Sequence, residues 1–246
     1  MPFPFAPIPR APGSWDDVFE HQAIEMSISH NMFIRGLNAL YAQAEGIQEA
    51  QVQPFVFFAL TMLEMLHHHH TIEEELIFPF YEAKLGAGSM EGNVEQHHAF
   101  MAGLTDLEEY LKSVKEGAAA YSGTTLVQKL DSFSDALVEH LHDEIPTLEA
   151  EKLRKAFTEQ DFTNLNKDLE KRILAEVSLL TTLPLSFVLH EKASAPFFPP
   201  LPKPLMWAAK NVLSRWYAAS WAFGPCDMDG VIKPGLGNEP LAPVSA

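Results

Sequence analysis

The sequence predicts an all-α protein, an up-down-up-down four-helix bundle with an additional helical, proline-rich C-terminal extension. Three observations predict it. Four stretches repeat apolar residues at alternating spacings of three and four, the mark of a buried helix face. The breaks between them are short enough to join antiparallel neighbours. Each of the four apolar rows also carries a histidine where a core residue is expected.

Residues 1–14 are proline-rich and read as an extended arm over the surface. The bundle is assigned to 15–156. Its first row runs Phe19, Ala23, Met26, His30, Phe33, Leu37, Leu40; its second runs Val52, Phe55, Ala59, Met62, Leu66, His69, Glu73, Leu76, Phe80. The third reads Val94, His97, Met101, Leu104, then less regularly Leu107, Leu111 and Val114. The fourth reads Leu126, Leu130, Phe133, Leu137, His140, Glu144, Leu148, and Thr124 or Thr125 is the expected N-cap. Residues 157–246 form the extension: a fifth row (Phe162, Leu165, Leu169, Ile173, Val177, Leu180), a stiff connector PFFPPLPKP at 196–204, and a last helix holding Leu205, Trp207, Val212, Trp216 and Tyr217. Its aromatic residues suit a lid or a crevice wall.

Two of the rows place a carboxylate one turn after the histidine, Glu73 after His69 and Glu144 after His140. Buried carboxylates need cations, and no lysine or arginine lies on any row. Metal ions are the natural counter-charge. Imidazole with carboxylate suits iron, manganese or zinc rather than calcium.

Composition narrows the partners. A formal charge of -16 disfavours nucleic acid and anionic membrane surfaces. One cysteine, Cys226, excludes an internal disulfide framework, and the N-terminal residues lack the form of a signal peptide, so a cytoplasmic location is expected. The apolar segment from Val177 to Leu189 contains Pro184, Thr181, Thr182 and Ser186, and reads as a buried helix with its continuation.

The segment HHHHTIEEELIFP resembles the His-His-x-x-Glu-Glu-x-x-x-Phe-Pro signature of the hemerythrin-like (HHE) cation-binding family, with His69 and Glu73 in its ligand positions. HLHDEIPTL resembles the fourth-helix motif through His140 and Glu144. SHNMFIRGLNALY resembles the first, bringing in His30, and EQHHAFMAGL the third, bringing in His97. The likeness spans about residues 15–155, and the WAFGPCD stretch resembles fungal members with a C-terminal extension. It implies a non-haem di-iron centre that meets molecular oxygen, with Glu73 and Glu144 bridging, His30 and His69 on one iron, and His97 and His140 on the other.

One departure bears on function. The family's oxygen carriers have two histidines four apart on the third helix, and the second position here is Met101. A thioether is a poor ligand for ferric iron, so the second iron is expected to lack a ligand unless His98, His142 or a residue of the extension supplies one. Open positions favour oxygen activation and oxidation of a small, apolar substrate; the alternatives are an oxygen- or iron-binding protein without turnover, and a structural zinc or manganese bundle. Only one of His67 to His70 can point fully inward, and His69 takes that place, with His70 the first candidate for an exception. Glu74, Glu75 and Asp143 lie off the rows as solvated charges, or as hydrogen-bond partners of ligand imidazoles.

Overall fold

The structure, a computed structural model, describes residues 3–196, 198–199 and 201–239. Phe197 and Pro200 of the expected connector, and the residues after 239, lie outside it. Helix α1 (Glu20–Gln43) pairs with α2 (Val52–Ile72), which continues through a π-turn (Glu73–Ile77) into α3 (Phe78–Leu85). Helix α4 (Glu91–Lys115) returns, and the fourth limb is split into α5 (Gly123–Asp131) and α6 (Ser134–Asp143). Around the bundle α1 touches α2, α2 touches α4, α4 touches α6, and α6 closes on α1. No helix among the described residues is long and apolar enough to cross a membrane.

Along every limb the apolar row passes from one cluster to another through a polar layer. The larger cluster holds Phe33, Leu66, Phe100 and Leu137; the smaller holds Met26, Phe78, Tyr81 and Leu148. Between them lie His30 on α1, His69 and Glu73 on the second limb, His97 on α4, and His140 and Glu144 on the fourth. The inward histidines therefore share one height, which break lengths alone do not decide.

Three local readings are corrected. The N-cap of α5 is Ser122, whose Oγ accepts from the Thr125 amide at 3.2 Å, because Gly123 starts the helix hard against the backbone of Ala44. After Glu73 the second limb buries Phe78 and Tyr81 rather than Leu76 and Phe80. The reason is the π-turn, in which the Phe78 amide reaches back five residues to the Glu73 carbonyl and turns the following row. On α4 the inward place falls to Phe100, with Met101 at the margin of the core.

The extension continues with α7 (Ala150–Ala156), α8 (Glu159–Glu176) and α9 (Thr182–Leu189), where Pro184 is tolerated in the first turn. The fifth row is only half used: Phe162 and Leu165 are buried, while Ile173 is exposed and the helix ends before Val177. Helix α9 lies against α1 and α2, which makes α1 buried on nearly every face. At the three-helix junction sits Gly36, where a methyl group would stand 2.3 Å from Met62 Sδ and 3.2 Å from Leu189 Cδ2. The last helix is also split, into α10 (Lys203–Asn211), a 3-10 turn (Leu213–Tyr217) and the short α11 (Ala218–Trp221).

The N-terminal arm is anchored as well as extended. Asn31 and Asn38 each form a two-way clamp: Asn31 accepts from the Ile8 amide at 2.7 Å and donates to its carbonyl at 2.9 Å, and Asn38 does the same for Phe5 at 2.8 and 2.9 Å. Seven helical residues rise about 10.5 Å and three extended residues span about 10 Å, so the two clamps are in register only if the arm is extended. Both asparagines are buried. Asn38→Ala leaves the Phe5 amide and carbonyl without these partners and should lower unfolding free energy by about 1–3 kcal/mol in urea titration; a change under about 0.5 kcal/mol would mean that water substitutes for the side chain.

Candidate metal centre

His30, His97 and His140 are fully buried and aimed by their outer nitrogens. The His30 Nδ1–H donates to the Leu141 carbonyl at 2.7 Å, and the His97 Nδ1–H donates to Glu74 Oε1 at 2.7 Å. His140 Nδ1 lies 3.4 Å from Gln96 Oε1, and Gln96 in turn donates to Asp143 Oδ2 at 3.0 Å. These partners assign the proton to Nδ1 and leave each Nε2 lone pair facing inward.

The inward atoms converge from two sides on the two carboxylates. His69 Nε2 is 2.9 Å and His30 Nε2 3.9 Å from Glu73 Oε1, and His30 and His69 Nε2 are 3.1 Å apart. On the other side His97 and His140 Nε2 are 3.0 Å apart, with His97 Nε2 3.6 Å from Glu73 Oε2. Glu144 Oε2 lies 3.3 Å from His30 Nε2 and 3.6 Å from His140 Nε2, so it too faces both sets. The structure thus brings all six residues of the sequence reading together.

His70 joins them. It is buried, its ring lies 4.4 Å from that of His97 and 5.3 Å from that of His140, and neither ring nitrogen has a hydrogen-bond partner. Two groups could each hold a metal ion: His30, His69 and Glu73, and His70, Glu73, His97 and His140. His69 and His70 project about 100° apart on α2 and flank the direction of the cluster, so a sector wider than one row supplies ligands. Where Met101 led the sequence to expect a missing ligand, His70 lies in the possible group, whereas His98 is exposed and His142 lies 3.2 Å from the Ala6 carbonyl. The sequence signal was the unbroken His67–His70 run. His67 and His68 turn outward to Glu108 and Glu176.

The electrostatics suit a bound cation. Neither oxygen of Glu73 or Glu144 has a partner in hydrogen-bond geometry, although His69 stands 2.9 Å from Glu73 Oε1, because the contact is poorly directed. Burial opposes ionisation of Glu73, but His69 and His30 outweigh it and hold the carboxyl well below its ordinary value. Glu144 is pushed up by burial and by the charge of Glu73. Burial also pushes His30 down, yet Glu144 and Glu73 override it and raise it to about 9. His140 is pushed down to about 2 by burial and then by His97 and His30, and burial holds His70 well below its usual range. Imidazoles and paired carboxylates with no sulfur among them form a hard-to-borderline donor set that fits divalent or trivalent first-row ions.

Glu74 is the carboxylate partner that orients His97, although its own side chain is 39% exposed. Glu74→Gln keeps the hydrogen bond but removes the charge behind the imidazole, and should weaken metal affinity by about 10–100-fold in a chelator competition titration. An unchanged affinity would make Glu74 a surface charge only.

The comparisons with known proteins agree with this geometry. The hemerythrin HHE cation binding domain matches residues 25–148, which contain every residue of the two groups. A relative from Cryptosporiopsis sp. (strain 8999), described as dimeric xanthone biosynthesis cluster protein R11, is 31% identical over 238 residues, covering 93% of this chain and 88% of that protein. No solved structure matches the chain. With half the chain matched, its four histidine-bearing limbs meeting in one polar layer, and a relative aligned through the extension as well, the protein belongs to the hemerythrin HHE cation-binding family.

Proposed function

We propose that the protein holds a non-haem di-iron centre and uses it to oxidise a small molecule with O2. The observation that carries this reading is the pair of buried carboxylates, Glu73 and Glu144, which lack hydrogen-bonded partners and each face both sets of imidazole nitrogens. In this reading His30 and His69 would hold one iron, His70, His97 and His140 would hold the other, and Glu73 and Glu144 would serve both. Iron bound there supplies the redox change by which O2 is reduced.

The chain's own residues divide the remaining work. Phe100, 5.0 Å from the His70 ring and 5.7 Å from that of His140, and Phe78, 5.5 Å from that of His97, keep water from the second set. His69 is the cluster member with a solvent-reached side chain, 17% exposed, and its ring packs 5.2 Å from that of Phe33. The first set has two imidazoles against three in the second, so a metal there would have fewer protein ligands. Glu74 and Asp143 supply charge behind His97 and His140, so the outer shell also favours the more highly charged ion at the second set.

Oxidation, rather than carriage, is supported by the relative described as belonging to a biosynthesis cluster. Reversible binding of O2 without turnover is the second reading, and His70 favours it: a third imidazole in one set removes the ligand deficit that spoke for activation. Metal analysis and oxygen uptake separate the readings. Oxidation predicts about two irons per chain and oxygen consumption with ascorbate as reductant that continues past one O2 per pair of irons. Uptake that stops at one O2 per pair and reverses under vacuum supports the binder. Zinc in place of iron overturns both.

A further inference from the structure

At the other end of α2, twelve residues and about 18 Å along the helix from His69, a second feature lies away from the metal layer. There the start of α2, the end of α4 and the turn preceding α11 enclose an open groove of about 480 Å³. Phe57 and Tyr217 stack in its wall with ring centroids 4.3 Å apart and planes 19° apart. Trp216 lines it with its side chain free, the residue being 72% exposed.

The charge of the groove runs against that of the molecule. The chain has 33 acidic and 17 basic residues, yet no acidic residue occurs from Ala193 to Cys226, and none lines the groove. Its charged lining residues are Lys115 and Arg215, which form no ion pair among the described residues. Nearby surface cations do have carboxylate partners, Lys112 with Glu108 at 3.2 Å and Lys129 with Asp106 at 2.6 Å. Two cations held beside an exposed indole and a stacked aromatic pair, with no acid between them, suit a ligand that is both flat and negative.

We propose that this groove binds a planar aromatic anion, its ring lying on Trp216 and the Phe57–Tyr217 wall and its carboxylate between Lys115 and Arg215. The volume suits a molecule of two or three fused rings. The proposal does not depend on the metal reading, because the groove shares no residue with either ligand group.

The test is isothermal titration of the full chain with 2-naphthoate, against the neutral 2-naphthylmethanol of similar shape. Saturable binding of the acid below about 1 mM, with the alcohol at least about tenfold weaker, is expected. Arg215→Gln and Lys115→Gln should each weaken the acid by about tenfold, and Trp216→Ala should weaken both ligands, all with bound metal unchanged. Equal affinity for acid and alcohol, insensitivity to the two charge variants, or no saturation would overturn the proposal. Equally, binding abolished by variants of the metal layer and spared by those of the groove would locate the ligand elsewhere and overturn it.

Discussion

If the proposed two-ion centre is present, Glu73→Gln should remove both metal ions, not one. The carboxylate touches both ligand groups, with Oε1 2.9 Å from His69 Nε2 and Oε2 3.6 Å from His97 Nε2, and it belongs to both possible sets. Glutamine keeps the shape but takes away the negative charge and turns one donor oxygen into an NH2 group that cannot ligate. Metal content should fall from about two ions per chain to below about one tenth of that. Because ligands bound only by the folded state stabilise it by about 2.7 kcal/mol at a hundredfold excess over Kd, chelation should lower the melting temperature of the unaltered protein by several degrees. The same chelator should leave the Glu73→Gln protein unmoved. His70→Ala provides the contrast, since it removes one imidazole from one set and should leave about one ion per chain. A Glu73→Gln protein that keeps about two ions would sink the bridging role, and a His70→Ala protein that keeps both would return His70 to the core.

The bundle and the six central residues were legible because helical periodicity is strict wherever a face is buried. His30, His140 and Glu144 interrupt rows of Leu, Phe and Met at the right spacing, and burial then leaves few interpretations. Legibility failed where the period changes. The π-turn at Glu73–Ile77 shifts the row to Phe78 and Tyr81, and nothing in the spacing of Leu76 and Phe80 announces it, since both are apolar and the proline that follows fits a helix start equally well. His70 was set aside for the same reason: one row per helix is a good rule for a core and too narrow for a polyhedral ligand set, which draws on residues to either side of the central direction. The fate of the fifth row was hidden differently. Ile173 and Leu180 continue the pattern of Phe162 and Leu165, but a helix buries a stripe only as far as a partner surface extends. Long-range pairings of the arm and the extension, such as Phe5 with Asn38 or Glu191 with Arg35, carry no local signal at all.

That last pairing leads to the largest expected effect on stability. Arg35 Nη2 donates to Glu191 Oε2 at 2.6 Å with both side chains buried, and it is the tie between α1 and the turn that follows α9. Arg35 lies five residues from His30, about 140° round the helix, so it faces the extension and not the metal layer. Burial pushes the Arg35 guanidinium down, and the Glu191 carboxylate and Cys226 oppose that. Arg35→Met, which keeps much of the volume, breaks a buried ion pair by removing one member and should cost about 3–5 kcal/mol of unfolding free energy. Replacing both residues by Met removes the buried carboxylate along with the guanidinium, and should recover most of that loss. Urea unfolding of the two variants and the parent measures the cycle. If Arg35→Met costs less than about 1 kcal/mol, the pair behaves as a solvated surface contact and the extension is not held by it. If the double replacement is no better than the single, the loss comes from packing of the long Arg35 stem between α1 and the extension rather than from the broken ion pair. In either case metal content per folded chain should stay at the parent level, since the pair shares no atom with the histidine layer.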